Sequence, residues 1–105
     1  MARVVRGALI QATLTEPGDS PIEKIKKSMI DKHVALIEQA AGKGVQVLCL
    51  QELFYGPYFC CDQDVRWYGM VEKIPAGPTT RLMCELARKH NMVIVVPVYE
   101  EDLPG

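Results

Sequence analysis

Gly44-Val45-Gln46-Val47-Leu48-Cys49-Leu50-Gln51-Glu52 is the stretch that decides the fold of this 105-residue chain. Val45 to Leu50 is short, apolar and β-rich, so it predicts a strand. Its near-continuous hydrophobicity is that of a strand in a parallel sheet with both faces covered. Gly42-Lys43-Gly44, just before it, tolerates a left-handed cap and marks the end of a helix.

Upstream, Ile22, Ile25, Met29, Leu36, Ile37 and Ala40 recur at three-to-four-residue spacing. Glu23, Lys24, Lys27, Asp31, Lys32 and Glu38 mostly take the opposite face. Ser20-Pro21-Ile22-Glu23 has the pattern of a capping box with proline at the first helical position. Before it, Val4 to Thr13 predicts a first strand, and Pro17-Gly18-Asp19 supplies turn chemistry.

Downstream, Leu53 to Pro78 is aromatic, proline-bearing and aperiodic. It far exceeds the roughly four-to-six-residue connection of compact domains, which predicts a functional loop with short internal structure. Gly77-Pro78 opens a second helix through Leu82, Met83, Leu86 and Ala87, with Arg88, Lys89 and His90 at its end and Asn91 as cap. Met92 to Tyr99 is the third strand, with Pro97 near its end. Strand, helix, strand, helix, strand predicts an α/β sheet with right-handed crossovers. Two helices cover one sheet face only, so the other face needs a covering layer.

The formal charge of −1 is spread over mixed signs, which offers no footprint for nucleic acid or anionic membranes. No stretch reaches the roughly 18 apolar residues of a membrane span, and Met1 to Arg6 is not followed by a signal-type apolar core. A cytoplasmic location is expected. Cys60 and Cys61 are adjacent and Cys49 lies in a strand, so the four cysteines are expected as free thiols.

Glu52 follows the second strand at its carboxyl end, where open α/β sheets place their ligand sites. Strand alternation carried past Leu50 would put Glu52 on the side of Leu48 and Leu50. Among Leu50, Leu53, Phe54 and Tyr55 its carboxylate would be desolvated and useful as a general base. The competing expectation is a solvated or salt-bridged loop residue.

The segment from Gly44 through Glu52, continued by Leu53-Phe54-Tyr55-Gly56-Pro57-Tyr58-Phe59-Cys60, closely resembles the catalytic-glutamate segment of the nitrilase superfamily of carbon–nitrogen hydrolases. It is most similar to the N-carbamoylputrescine amidase and β-ureidopropionase branch. Ala8-Leu9-Ile10-Gln11-Ala12, Ala40-Ala41-Gly42-Lys43-Gly44 and Gly77-Pro78-Thr79-Thr80 extend the resemblance over nearly all 105 residues. Ala76 stands where many members of that family carry an acid.

The resemblance implies the N-terminal segment, residues 1–105, of a single incomplete domain with a four-layer αββα sandwich fold. It also implies a Glu, Lys, Cys triad working without metal or organic cofactor on N-carbamoyl amines or N-carbamoyl amino acids. Glu52 is its general base; the cysteine attacks carbon and the lysine stabilises the oxyanion. Lysine and nucleophile would follow Gly105, so the 105 residues alone are expected to be inactive. Homo-oligomerisation, or association with the rest of the domain, is the expected assembly.

Tyr55, Tyr58 and Phe59, with Trp67 and Tyr68, are expected either to wall a substrate pocket or to pack in the core. Cys49 reads as a small buried hydrophobe, and Cys84 as a helical residue despite preceding Glu85. Cys60 and Cys61 lack the spacing of a metal site. His33 and His90 are expected to be surface or packing residues, Arg66 to form a salt bridge, and Gly77-Pro78-Thr79-Thr80 to cap a helix. A different class of function, a short non-catalytic α/β module assembling through its open sheet face, fits the same fold.

Overall fold

The computed structural model describes residues 2–61 and 63–102. Three parallel strands, β1 (Gly7–Ile10), β2 (Val47–Leu50) and β3 (Val93–Val95), lie in the order β1-β2-β3. Helix α1 (Ile22–Gly42) joins the first pair and α2 (Pro78–His90) the second, so the predicted α/β order holds.

The outer strands are shorter than their apolar runs. Val4 and Val5 are exposed and precede the ladder, which opens where Gln46 and Val47 donate to Arg6 O. Pro97 has no N–H to give a ladder, and β3 stops at Val95 before it.

α1 buries Ile25, Met29, His33 and Ile37, one residue per turn. His33 is the member of this stripe that the apolar spacing omitted. The Ser20 capping box does not form. Pro21 itself is the N-cap, and its carbonyl accepts from the Lys24 and Ile25 amides. That moves Ser20 one residue outside the helix, where its amide closes a turn on Pro17 O. At the other end Gly44 takes φ +74, a left-handed conformation suited to glycine, and its amide reaches Ala41 O. Asn91 caps α2 at φ 49.

Leu48, Leu50 and Ile10 are buried with the α1 stripe, Phe54 and Met83 in one core. The intervening side chains are on the other face: Leu9 is 83 % exposed, Val93 61 %, Val95 49 % and Val47 39 %. Burial on one side only is what two helices can supply, and the uncovered face is apolar. His90 Nε2 lies 2.7 Å from Glu38 Oε2 and Lys89 Nζ 3.1 Å from Oε1, which ties the end of α2 to α1. Among the described residues no helix is long and apolar enough to cross a membrane.

Phe54→Ala should cost about 3–5 kcal/mol in denaturant unfolding, because a wholly buried ring leaves a cavity. Leu9→Lys should change stability by no more than about 0.5 kcal/mol, since its side chain is already in water.

Candidate functional site

β2 ends at Leu50, and the chain turns at once through Glu52 to Tyr55. Leu53 takes φ 50, the left-handed region that leucine rarely enters. The turn is closed by the Gly56 amide on Leu53 O. Gln51 fixes its start, since its Oε1 accepts from the Ala12 amide at 2.5 Å and so links the ends of β1 and β2.

This turn breaks the alternation expected beyond Leu50. Glu52 is exposed instead of lying among Leu50, Phe54 and Tyr55, while Phe54 and Tyr55 swing inward to complete burial. Its desolvation would need cover that the described residues do not provide. Glu52 nevertheless has company: its carboxylate is the largest influence raising the Tyr58 hydroxyl pKa, ahead of the Cys60 thiol. The same carboxylate contributes to the raised pKa of Tyr99, whose main cause is burial.

The three tyrosine and phenylalanine positions expected to wall a pocket separate. Tyr58 and Phe59 are 45 % and 42 % exposed, with ring centroids 5.7 Å apart. They flank two cavities: Tyr58 borders one of about 540 Å³ with Arg66 and Trp67, and Phe59 borders one of about 1150 Å³ with Cys60, Tyr68 and Tyr99. Glu52 lines neither. Tyr55 is a correction. Its ring is wholly buried, its hydroxyl donates to Met70 O at 2.7 Å, and burial pushes its pKa up to about 12. It has no surface to offer a substrate.

Arg66 serves as a tether between loops. Its guanidinium donates to Gly18 O and to Ser20 O, lies 3.6 Å from Asp64 and stacks over the Trp67 ring at 4.1 Å. Cys49 is half-buried on the open sheet face; Cys60, Cys61 and Cys84 are exposed, and all four are free thiols. Among the described residues no group of His, Cys, Asp and Glu could hold a metal ion. His33 belongs to the core, with Nδ1 2.8 Å from Met29 O and its ring edge-on to Phe54 at 4.8 Å.

The most connected polar group in the long loop is Glu72, which neither hydrophobic period nor motif spacing marks. Its carboxylate is buried, 2.6 Å from Lys26 Nζ, and it accepts from the Thr79 amide at 2.8 Å and from Thr79 Oγ1 at 2.5 Å. Glu72 thereby caps α2, whose N-cap Gly77 has no side chain to do so. A Cβ on Gly77 would stand 2.6 Å from Lys73 O and 2.8 Å from the Glu72 carboxylate, so glycine is required there. The available signal was a helix start lacking a Ser, Thr, Asp or Asn cap, with an acid a few residues upstream. Lys26 also lies 4.6 Å above the Tyr55 ring.

The sequence model of the family described as "Carbon-nitrogen hydrolase" matches residues 8–104. The chain is 39 % identical over 101 residues to "Beta-ureidopropionase" of Arabidopsis thaliana, covering 96 % of this chain and 24 % of that protein. It is 34 % identical over 112 residues to "Nitrilase" of Paraburkholderia phymatum, covering 95 % and 30 %. It is 36 % identical over 66 residues to "N-carbamoylputrescine amidase" of Solanum lycopersicum, covering 63 % and 22 %. The chain thus spans less than a third of the length of each of these relatives.

Lys26→Met should cost about 3 kcal/mol, the low end for breaking a buried pair, because the lysine keeps 21 % side-chain exposure. Two acid-stability windows should also be visible in unfolding measured against pH. Burial alone would raise the Glu72 carboxyl, but Lys26 and Thr79 outweigh it, and its pKa is lowered from 4.5. Its contribution is therefore complete above 4.5 and is lost as pH falls through the lower folded value. Burial lowers His33 below 6.5, so the unfolded chain takes up its proton first and stability declines as pH falls from 6.5. His33→Leu should flatten the upper window alone.

Proposed function

Because the chain belongs to the carbon–nitrogen hydrolase family, we propose that it supplies the general base of an amidohydrolase acting on a carbon–nitrogen bond of an N-carbamoyl amine or N-carbamoyl amino acid. The observation that carries this reading is the place of Glu52: exposed at the carboxyl end of the central strand, in a held turn, beside Tyr58. Two of the relatives it resembles are named for ureido or carbamoyl substrates, which favours that class over nitriles.

In this proposal a cysteine thiol from sequence beyond Gly105 gives its proton to Glu52 and attacks the substrate carbonyl carbon. A lysine, also from beyond Gly105, stabilises the oxyanion. Collapse of the tetrahedral adduct breaks a C–N bond, and the departing nitrogen takes the proton held by Glu52; water then hydrolyses the acyl-enzyme and frees the thiol, and an N-carbamoyl substrate ends as amine, carbon dioxide and ammonia. Tyr58 and Phe59 offer two half-exposed aromatic rings next to the base, suited to the substrate's carbon skeleton. The open apolar face of β1, β2 and β3 is where the remaining layers of the sandwich would pack, and that cover would also desolvate Glu52.

The test is ammonia release from N-carbamoylputrescine and N-carbamoyl-β-alanine. The chain extended through its natural reading frame is compared with its Glu52→Gln variant and with the 105 residues alone. Activity is expected only in the extended protein and should fall by about 10²–10⁴-fold in Glu52→Gln. A folded extended protein without activity, or an unchanged Glu52→Gln variant, sinks the proposal. A short chain that forms a defined oligomer from a reading frame ending at Gly105 would favour the non-catalytic module.

A further inference from the structure

Two tyrosines far apart in sequence fasten the segment after Glu52 to the stretch that leaves β3. The Tyr55 hydroxyl accepts from the Tyr99 amide at 3.3 Å while donating to Met70 O, and the Tyr99 hydroxyl donates to Pro57 O at 3.2 Å. The Tyr99 ring also packs edge-on to Phe59 at 5.8 Å and lies 6.2 Å from Tyr55. The segment from Tyr55 to Phe59 is therefore fastened at three points to the stretch that leaves β3.

That stretch is itself fixed. The Glu72 amide donates to Tyr99 O at 2.9 Å and the Glu101 amide to Glu72 O at 2.8 Å, in a short parallel bridge. The Glu72 side chain is anchored to α1 through Lys26 and to α2 through Thr79. The clamp thus stands on both helices.

Between the end of β2 at Leu50 and the buried Tyr55 lie only residues 51 to 54, and Glu52 is among them. Leu53 holds a left-handed φ of 50, a conformation that costs of order 1–3 kcal/mol and persists only where its surroundings impose it. One end of this turn is fixed by the β2 ladder and by Gln51, the other by the tyrosine pair.

We propose that Tyr99, acting with Tyr55, is a positioning residue for Glu52: the hydroxyl clamp holds the inner end of the left-handed Leu53 turn that ring burial drives, and so sets where the carboxylate stands beside Tyr58. This rests on the reading of Glu52 as the base. Neither clamp hydroxyl needs to touch substrate for the effect, because small displacements of a catalytic group cost rate far more than binding.

Tyr99→Phe removes one hydroxyl and keeps the ring. In the extended hydrolase it should lower kcat about tenfold or more, with KM within about twofold, and should displace the acid limb of kcat/KM. Tyr55→Phe should do the same and decides the matter if Tyr99→Phe does not fold. Hydrogen exchange at the Gly56 amide, which closes the Leu53 turn, should speed up by about tenfold in either variant. Parental kcat and acid limb with only a lower thermal midpoint would mean a purely structural pair and overturns the proposal. If the parent has no activity, the function proposed above fails on its own, and unchanged exchange at Gly56 then overturns the clamp independently.

Discussion

A carboxylate taken out of water must be answered by charge and hydrogen bonds, and Glu72 is answered by groups from both helices. Lys26 comes from α1, and Thr79 offers the backbone and hydroxyl donors of the first turn of α2. The Glu72 backbone meanwhile pairs with the segment leaving β3. One buried residue therefore joins two helices, the long loop and the third strand's exit. Breaking such a site strands a charge, at several kcal/mol against a total stability of about 5–15 kcal/mol for a typical domain. The aperiodic stretch after Glu52 holds its shape around this ion pair, whereas the sheet is held by apolar burial.

The loop's order matters for the residues it presents. Phe54 and Tyr55 are drawn into the core, against His33 and under Lys26, and this pulls the chain through the left-handed Leu53 turn that leaves Glu52 outside. Apolar burial of two rings, at roughly 1.5–3 kcal/mol each, outweighs the strain at Leu53. An exposed carboxylate, two half-exposed rings and a tethered pair of cavities are thus consequences of where the large side chains went.

One face of the sheet finds no cover among the described residues. The pattern of Leu9, Val47, Val93 and Val95 is that of strands meant for cover on both sides, while α1 and α2 occupy one. The carbon–nitrogen hydrolase relatives that the chain matches are more than three times longer.

Element order was legible in the sequence because hydrophobic period and chain punctuation are local: apolar β-rich runs, a three-to-four-residue stripe, Gly44 and Asn91 at helix ends. The place of Glu52 after the central strand was legible too, through the resemblance of the segment around it. Strand ends were not, because a ladder lasts only as long as its partner, and β2 offers four residues to β1. The depth of His33 and the inward turn of Tyr55 were likewise invisible, and the capping of α2 by Glu72 was marked only by a helix start without a cap of its own. Each depends on what lies across the core rather than along the chain. Sequence determined which elements form and which carboxylate follows the central strand; only tertiary packing decided which polar groups are buried together and which way the Glu52 turn faces.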